Sequence, residues 1–184
     1  NATIRRDVKI WPEKELGEDA EVDSSLIWAP RWSKQLFSNL GVVGVSNIDI
    51  TPEFVAKLAT AYAATLNKKK EVVVSSDSYK ISNSLKRSLT GGLQSAGINV
   101  IDIGDTITPV TRYSTVSLRA QGGVNIRVSY DDPQKVVIEF LNEYGANISS
   151  NEQRSIEKKY FAEDYNRAVL ENIGEYSHAP EMNR

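Results

Sequence analysis

GVNIRVSYDDPQKVVIEF, from Gly123 to Phe140, is the stretch on which the reading of this chain turns. Its first part is an apolar, strand-like run that delivers Ser129 directly before the turn formers Asp131, Asp132 and Pro133. The ends of such strands are where open α/β sheets hold their ligands. A serine in front of an Asp-Asp-Pro run is also ordinary turn chemistry, and both roles stand at this point. After the turn, KVVIEFLN (135–142) is expected to return as an antiparallel edge strand.

Working outward, strands and helices alternate. ITPEFVAKLATAYAATL carries a helix start, with Thr51 as N-cap, Pro52 at the first helical position and Glu53 in the first turn. Phe54, Val55, Leu58, Tyr62 and Leu66 follow at helical spacing. EVVVSS (71–76) reads as a buried strand. Ile81 to Ala96 reads as a helix with Leu85, Leu89 and Leu93 on one face, stopped by Gly97. Asp77, between that strand and that helix, is expected as an N-cap. INVIDIG (98–104) is the next strand, Thr108-Pro109 opens a helix to about Ala120, and Gly122-Gly123 reads as a turn before VNIRVS. The segment 147–174 supplies a closing helix capped by Ser149 or Ser150. This alternation predicts an α/β fold: three α/β/α layers around a mixed, mostly parallel sheet.

Composition narrows the class. The 184 residues suffice for one ordinary domain and a short appendage, and 40% hydrophobic residues suffice for a core. A net charge of −2 argues against a nucleic-acid or anionic-lipid partner. The absence of cysteine removes disulfides, thiolate metal sites and thiol nucleophiles, and fits a cytoplasmic protein. No apolar run reaches the length of a membrane span. Lys68-Lys69-Lys70 reads as a solvated loop, and the lone His178 as a solvated residue of the tail.

Before about Pro30 the pattern differs. Ile4, Ile10, Leu16, Val22 and Trp28 recur every six residues, the period of hexapeptide β-helix coils. A short N-terminal left-handed β-helix remnant is therefore expected, with Trp28, Trp32 and Phe37 closing its end. The expected organisation is residues 1–40 as hexad tract and connector, 41–170 as the α/β domain and 171–184 as a linker. With no initiator Met and an aperiodic tail, the chain is expected to be a piece of a larger protein.

Five blocks in order carry a resemblance: ITPEFVAKLATAYAATL, VVVSSDSYKISNSLKRSLTGGLQSAGINVIDIG, TPVTRYS, GGVNIRVSYDDP and IEFLNEYGANIS. Together they resemble domain 1 of the α-D-phosphohexomutases, the superfamily of phosphomannomutases and phosphoglucomutases, over roughly residues 41–165. The hexad tract and SLIWAPRW resemble bacterial fusions of a sugar-1-phosphate nucleotidyltransferase, a left-handed β-helix and a phosphomannomutase-like region, of mannose-1-phosphate guanylyltransferase type. The resemblance implies a phosphoserine at position 129 that exchanges a phosphoryl group with a hexose phosphate beside Mg²⁺. The other metal ligands and the sugar-reading loops would lie in further domains, so the chain alone is expected to be inactive.

The departures bear on the site. The family's T-A-S-H-N-P reads Arg127-Val128-Ser129-Tyr130-Asp131-Asp132, and its lysine ten residues past the serine reads Glu139. Its serine-glycine-basic loop reads Val43-Gly44-Val45-Ser46-Asn47, and its G-R-D reads Ser75-Ser76-Asp77, both without the arginine. Three places thus lose a basic group, while two carboxylates appear beside the serine. Candidate site residues are Ser129 as phosphoacceptor and, through its phosphate, metal ligand; Arg127 and Tyr130 for substrate; and Asp131 for Mg²⁺. Strand alternation puts Arg127 and Ser129 on one face. A mutase domain, a sugar-phosphate-binding or regulatory module, and an oligomerisation module are the function classes left open.

Overall fold

The computed structural model describes residues 3–4, 21–22, 35–66, 71–165 and 167–180. The chain divides into two compact units, residues 1–34 and 35–184. In the first, β1 (Thr3–Ile4) and β2 (Glu21–Val22) pair in parallel, with Ile4 opposite Val22. The rest of the hexad tract, including Trp28 and Trp32, lies outside the described residues, as do Lys68–Lys70. No β-helix is described.

The second unit is built on β3 (Phe37–Ser38), β4 (Gly41–Val45), β5 (Glu71–Ser76), β6 (Asn99–Asp105), β7 (Gly122–Val128), β8 (Lys135–Asn142) and β9 (Tyr176–His178). They form one sheet in the order β3-β4-β8-β7-β5-β6-β9. Its helices are α1 (Pro52–Ala63), α2 (Lys80–Ser95), α3 (Thr108–Ser117) and α4 (Ser150–Ala162). The α/β expectation holds, but the sheet is evenly mixed rather than mostly parallel. Pairs β5–β6, β5–β7 and β6–β9 are parallel, whereas β3–β4, β4–β8 and β7–β8 are antiparallel. The short turn after Ser129 forces β8 back antiparallel to β7, and β4 then docks on its far side. KVVIEFLN is therefore an interior strand, not an edge, and Val136 to Leu141 are buried without a break.

Local chemistry accounts for the helices. Thr51 Oγ1 accepts from Phe54 N at 3.2 Å and Pro52 opens α1, as expected. Gly97 ends α2 with φ 82°, while Leu85, Leu89 and Leu93 are fully buried. Ser149 and Glu152 form a reciprocal capping box on α4. That helix stops at Glu163, which turns left-handed at φ 52°, so it covers only part of segment 147–174.

Helices α1 and α2 cover one face of the sheet and α3 the other. A Cβ on Gly122 would come within 2.1 Å of the Tyr62 hydroxyl on α1, and one on Gly123 within 2.3 Å of Thr115 Oγ1 on α3. The glycine pair is thus the start of β7, squeezed from both sides, and not the turn its composition suggests. Even-numbered β7 residues face α1 and α2, and odd-numbered ones face α3. Phe37 packs edge-on against Phe140, and Phe140 against Tyr62, at centroid distances of 5.5 and 5.0 Å. Tyr176–His178, within the stretch expected as a linker, adds parallel to β6.

Candidate functional site

Ser129 leaves the end of β7 half-buried, anchored on both sides. Its N–H donates to Lys135 O at 2.9 Å, which carries the antiparallel pairing one residue past Val128. The preceding Val128 N–H donates to Asp77 Oδ2 at 2.6 Å, and Asp77 N donates to Ile126 O at 3.0 Å. Asp77 Oδ1 also accepts from Tyr79 N at 3.1 Å. The N-cap expectation for Asp77 is therefore corrected. Helix α2 starts at Lys80 with Tyr79 in the cap position, so Asp77 stands too early to cap. It clamps the strand end that presents Ser129 instead.

Beneath this exit, the α3 face of the sheet carries a buried hydroxyl–amide network. Ser75 Oγ and Thr111 Oγ1 lie 2.7 Å apart, Asn125 Nδ2 donates to Ser75 Oγ at 2.8 Å, and Thr108 Oγ1 donates to Asn125 Oδ1 at 3.2 Å. A network satisfied in this way locks β5, β7 and α3 in one register. Asn125, Arg127 and, by alternation, Ser129 point toward this side.

Arg127 is buried, at 8% exposure. Its Nε and Nη2 converge on Glu139 Oε1 at 2.8 and 2.7 Å, and its Nη1 donates to Val128 O at 3.3 Å. Glu139, on β8, lies diagonally across the hairpin, because Asn125 is its direct partner. Its Oε2 is 3.8 Å from Arg112 Nη2 on α3. Arg112 is itself held by Gly145 O at 2.8 Å and Asn147 Oδ1 at 2.5 Å. The Glu139 carboxylate is thus matched by an arginine from the neighbouring strand.

Tyr130 is 82% exposed, yet its ring covers the Arg127 guanidinium, with Cζ 4.3 Å from the ring centroid. Asp131 is exposed. Asp132 shapes the turn: Oδ1 accepts from Gln134 N at 3.0 Å, and Oδ2 pairs with Lys135 Nζ at 3.0 Å. The Gln134 N–H, followed by Lys135, holds its carboxyl below the usual carboxylate range. Among the described residues no three His, Cys, Asp or Glu side chains gather to hold a metal. Those residues do not by themselves build the Mg²⁺ site that the resemblance implies. His178 is exposed, with Nδ1 3.1 Å from Asp102 O, across the sheet from this site. No helix among the described residues is long and apolar enough to cross a membrane.

The structure thus brings Ser129, Arg127 and Tyr130 to one strand exit. The roles of Asp77, Arg112 and Glu139 were missed. The one signal for the last two was opposite charge standing in otherwise apolar strands and on the adjoining helix.

Comparison with known proteins agrees with this geometry. Residues 34–167 match the family model described as phosphoglucomutase/phosphomannomutase, alpha/beta/alpha domain I. A phosphoglucomutase/phosphomannomutase of Thermococcus kodakarensis is 34% identical over 145 residues, 77% of this chain and 32% of that protein. A phosphoglucosamine mutase of Nautilia profundicola is 30% identical over 141 residues, 76% of this chain and 32% of that protein. The crystal structure of a phosphoglucomutase/phosphomannomutase family protein from Burkholderia thailandensis superposes with a TM-score of 0.68 at 19% identity, over 78% of this chain and 32% of that one, and shows the shared fold. The chain spans about a third of the length of these relatives. With its family model matched across β3 to α4 and its serine at the exit of β7, the chain belongs to the phosphoglucomutase/phosphomannomutase family, as its domain I.

Proposed function

We propose that this chain is the phosphoserine-bearing first domain of a hexose-phosphate mutase, with Ser129 as the acceptor. The observation that carries the reading is the double anchoring of the β7 exit, by Asp77 on Val128 N–H and by Lys135 O on Ser129 N–H. That anchoring fixes where the hydroxyl stands for an incoming phosphoryl group. In the transfer, the Oγ–phosphorus bond of the phosphoserine breaks as a bond forms from phosphorus to a free hydroxyl oxygen of the hexose phosphate, whose proton passes to the serine oxygen. The bisphosphate so formed turns over, and its other phosphoryl group returns to Ser129, leaving the isomeric hexose phosphate. The groups that read the hexose and hold Mg²⁺ belong to the remaining domains, so this chain alone turns nothing over.

The parent is proposed as a cytoplasmic sugar-nucleotide protein of mannose-1-phosphate guanylyltransferase type, with the hexad tract as a β-helix coil. The pairing of Ile4 with Val22 supports the coil, since these hexad positions stand three hexads apart in parallel register. Such a coil also offers a surface for homo-oligomer formation.

The test is mutase turnover of the longer protein on mannose and glucose phosphates with a divalent cation, wild type beside Ser129→Ala. Turnover lost in the variant establishes the acceptor. No turnover in either protein leaves the second reading, a sugar-phosphate-binding or regulatory module.

A further inference from the structure

The charges around Ser129 do not simply vanish relative to the family pattern; they are rearranged. Arg127 and Arg112 approach opposite oxygens of one carboxylate, at 2.7 and 3.8 Å. Two guanidiniums thus share one carboxylate, and the nearer one, Arg127, is on the same strand as Ser129. This cluster lies on the α3 face, the side that Ser129 shares by alternation. The side chains of Arg127 and Glu139 are only 10% and 11% exposed, so water screens them poorly. The other carboxylates nearby are differently placed. Asp132 is paired with Lys135, Asp131 is exposed, and Asp77 accepts from two backbone N–H groups while keeping its own negative charge. The Tyr130 ring closes the guanidinium from solvent on one side.

We propose that Arg127, with Arg112 behind it, is an anion seat for a phosphate on Ser129, and that Glu139 is the positioning residue that holds Arg127 in place. The guanidinium keeps two N–H bonds, one each on Nη1 and Nη2, beyond those given to Glu139 and Val128 O. These are free to meet phosphate oxygens in charge-assisted hydrogen bonds. This inference rests on the phosphoserine reading above.

The test installs phosphoserine at position 129 of this chain by genetic encoding and follows its second ionisation by ³¹P NMR. Three backgrounds are compared: otherwise wild type, Arg127→Met with Glu139→Gln, and Arg127→Thr with Glu139→Lys. The first double variant removes the pair without leaving a buried charge alone, so it keeps the fold. The second moves the cation to β8. An unperturbed phosphoserine has its second pKa near about 6. The seat predicts a value roughly one unit lower in the wild-type background and in the Thr/Lys variant. In the Met/Gln variant it predicts a return to about 6. The same value in all three backgrounds overturns the seat, as does a chain that folds with serine but not with phosphoserine. Because the phosphate is installed, the result stands apart from turnover. Failure here leaves Ser129 an acceptor, whereas the Ser129→Ala comparison alone decides the mutase reading.

Discussion

Breaking the Arg127–Glu139 pair from one side is the sharpest stability test of this site. The contact is 2.7 Å between Nη2 and Oε1, with both side chains about nine-tenths buried. Charge centres roughly 4 Å apart attract by about 4 kcal/mol at an effective dielectric of about 20. Removing one partner of a buried pair costs roughly 3–5 kcal/mol, because the other charge is stranded. In Arg127→Met the stranded group is Glu139, and Arg112 at 3.8 Å relieves part of that penalty. The expected loss is therefore about 2–3 kcal/mol. Glu139→Gln strands Arg127, which retains Val128 O and the Tyr130 ring, and a similar loss is expected. With both changes the pair disappears together with its desolvation cost, so the double variant should lie within about 1–2 kcal/mol of wild type. The cycle then gives a coupling of roughly 2–5 kcal/mol. Urea denaturation followed by far-UV circular dichroism is the assay. Trp11, Trp28 and Trp32 all lie in the first unit, so tryptophan fluorescence would report on the wrong part of the chain. Single losses that add to within about 0.5 kcal/mol would refute the pairing argument.

Adjacent glycines of α2 should respond with opposite signs. A Cβ on Gly91 meets nothing within 4 Å, so Gly91→Ala should stabilise by about 0.5–1 kcal/mol. A Cβ on Gly92 lands 2.5 Å from Ala56 O on α1, so Gly92→Ala should destabilise by about 1–3 kcal/mol despite its better propensity. Equal shifts in urea midpoint would contradict the close α1–α2 approach. Asp77→Ala leaves the Val128 N–H without its acceptor and should cost about 1–3 kcal/mol. Hydrogen exchange should quicken first at Val128, and unchanged protection there would remove Asp77 from the clamp. Burial, then the Glu152 carboxylate, pushes the Tyr62 phenol up. A raised folded-state pKa gives stability that is complete below the unfolded tyrosine value of about 10 and lost as pH climbs past it. Tyr62→Phe should therefore flatten the fall in Tm between about pH 9 and 11, and unaltered slopes would count against it.

What could be read from the chain alone was what its own neighbours in sequence determine. Thr51-Pro52-Glu53 started α1 where expected, and Gly97 ended α2, because caps and stops are settled within a few residues. The misreadings share a tertiary cause. Gly122-Gly123 has the composition of a turn, but the pair is glycine because Tyr62 and Thr115 press on it from two helices. KVVIEFLN shows the same apolar run at an edge or in an interior, and only the docking of β4 decides. The Gly-Val-Val-Gly-Val of β4 hid behind its own glycines. A Cβ on Gly41 would meet Ile138 O at 2.3 Å, and one on Gly44 would meet the Asp49 side chain at 2.6 Å. Ser129 was visible because a strand followed by Asp-Asp-Pro is a local pattern. The partners of Arg127 were not, since its pairing with Glu139 needs the register of the whole hairpin.

That register also decides which charges meet at the strand exit. Antiparallel pairing puts Val128 opposite Val136 and Asn125 opposite Glu139, so Arg127 and Glu139 fall on one face as diagonal neighbours. A cation moved from one strand to the other stays within the same small volume as long as an anion moves the opposite way. Neither change is neutral alone. A lysine at position 139 beside Arg127 and Arg112 would gather three cations around a buried spot, and Glu139 without Arg127 would leave its carboxylate only the more distant Arg112. The two charges therefore stand or fall together. The backbone that carries them is held independently, by Asp77 on one side and Lys135 O on the other. Position and charge at Ser129 are set by separate groups, so a change in the Arg127–Glu139 pair alters the charge around the serine without releasing the exit of β7.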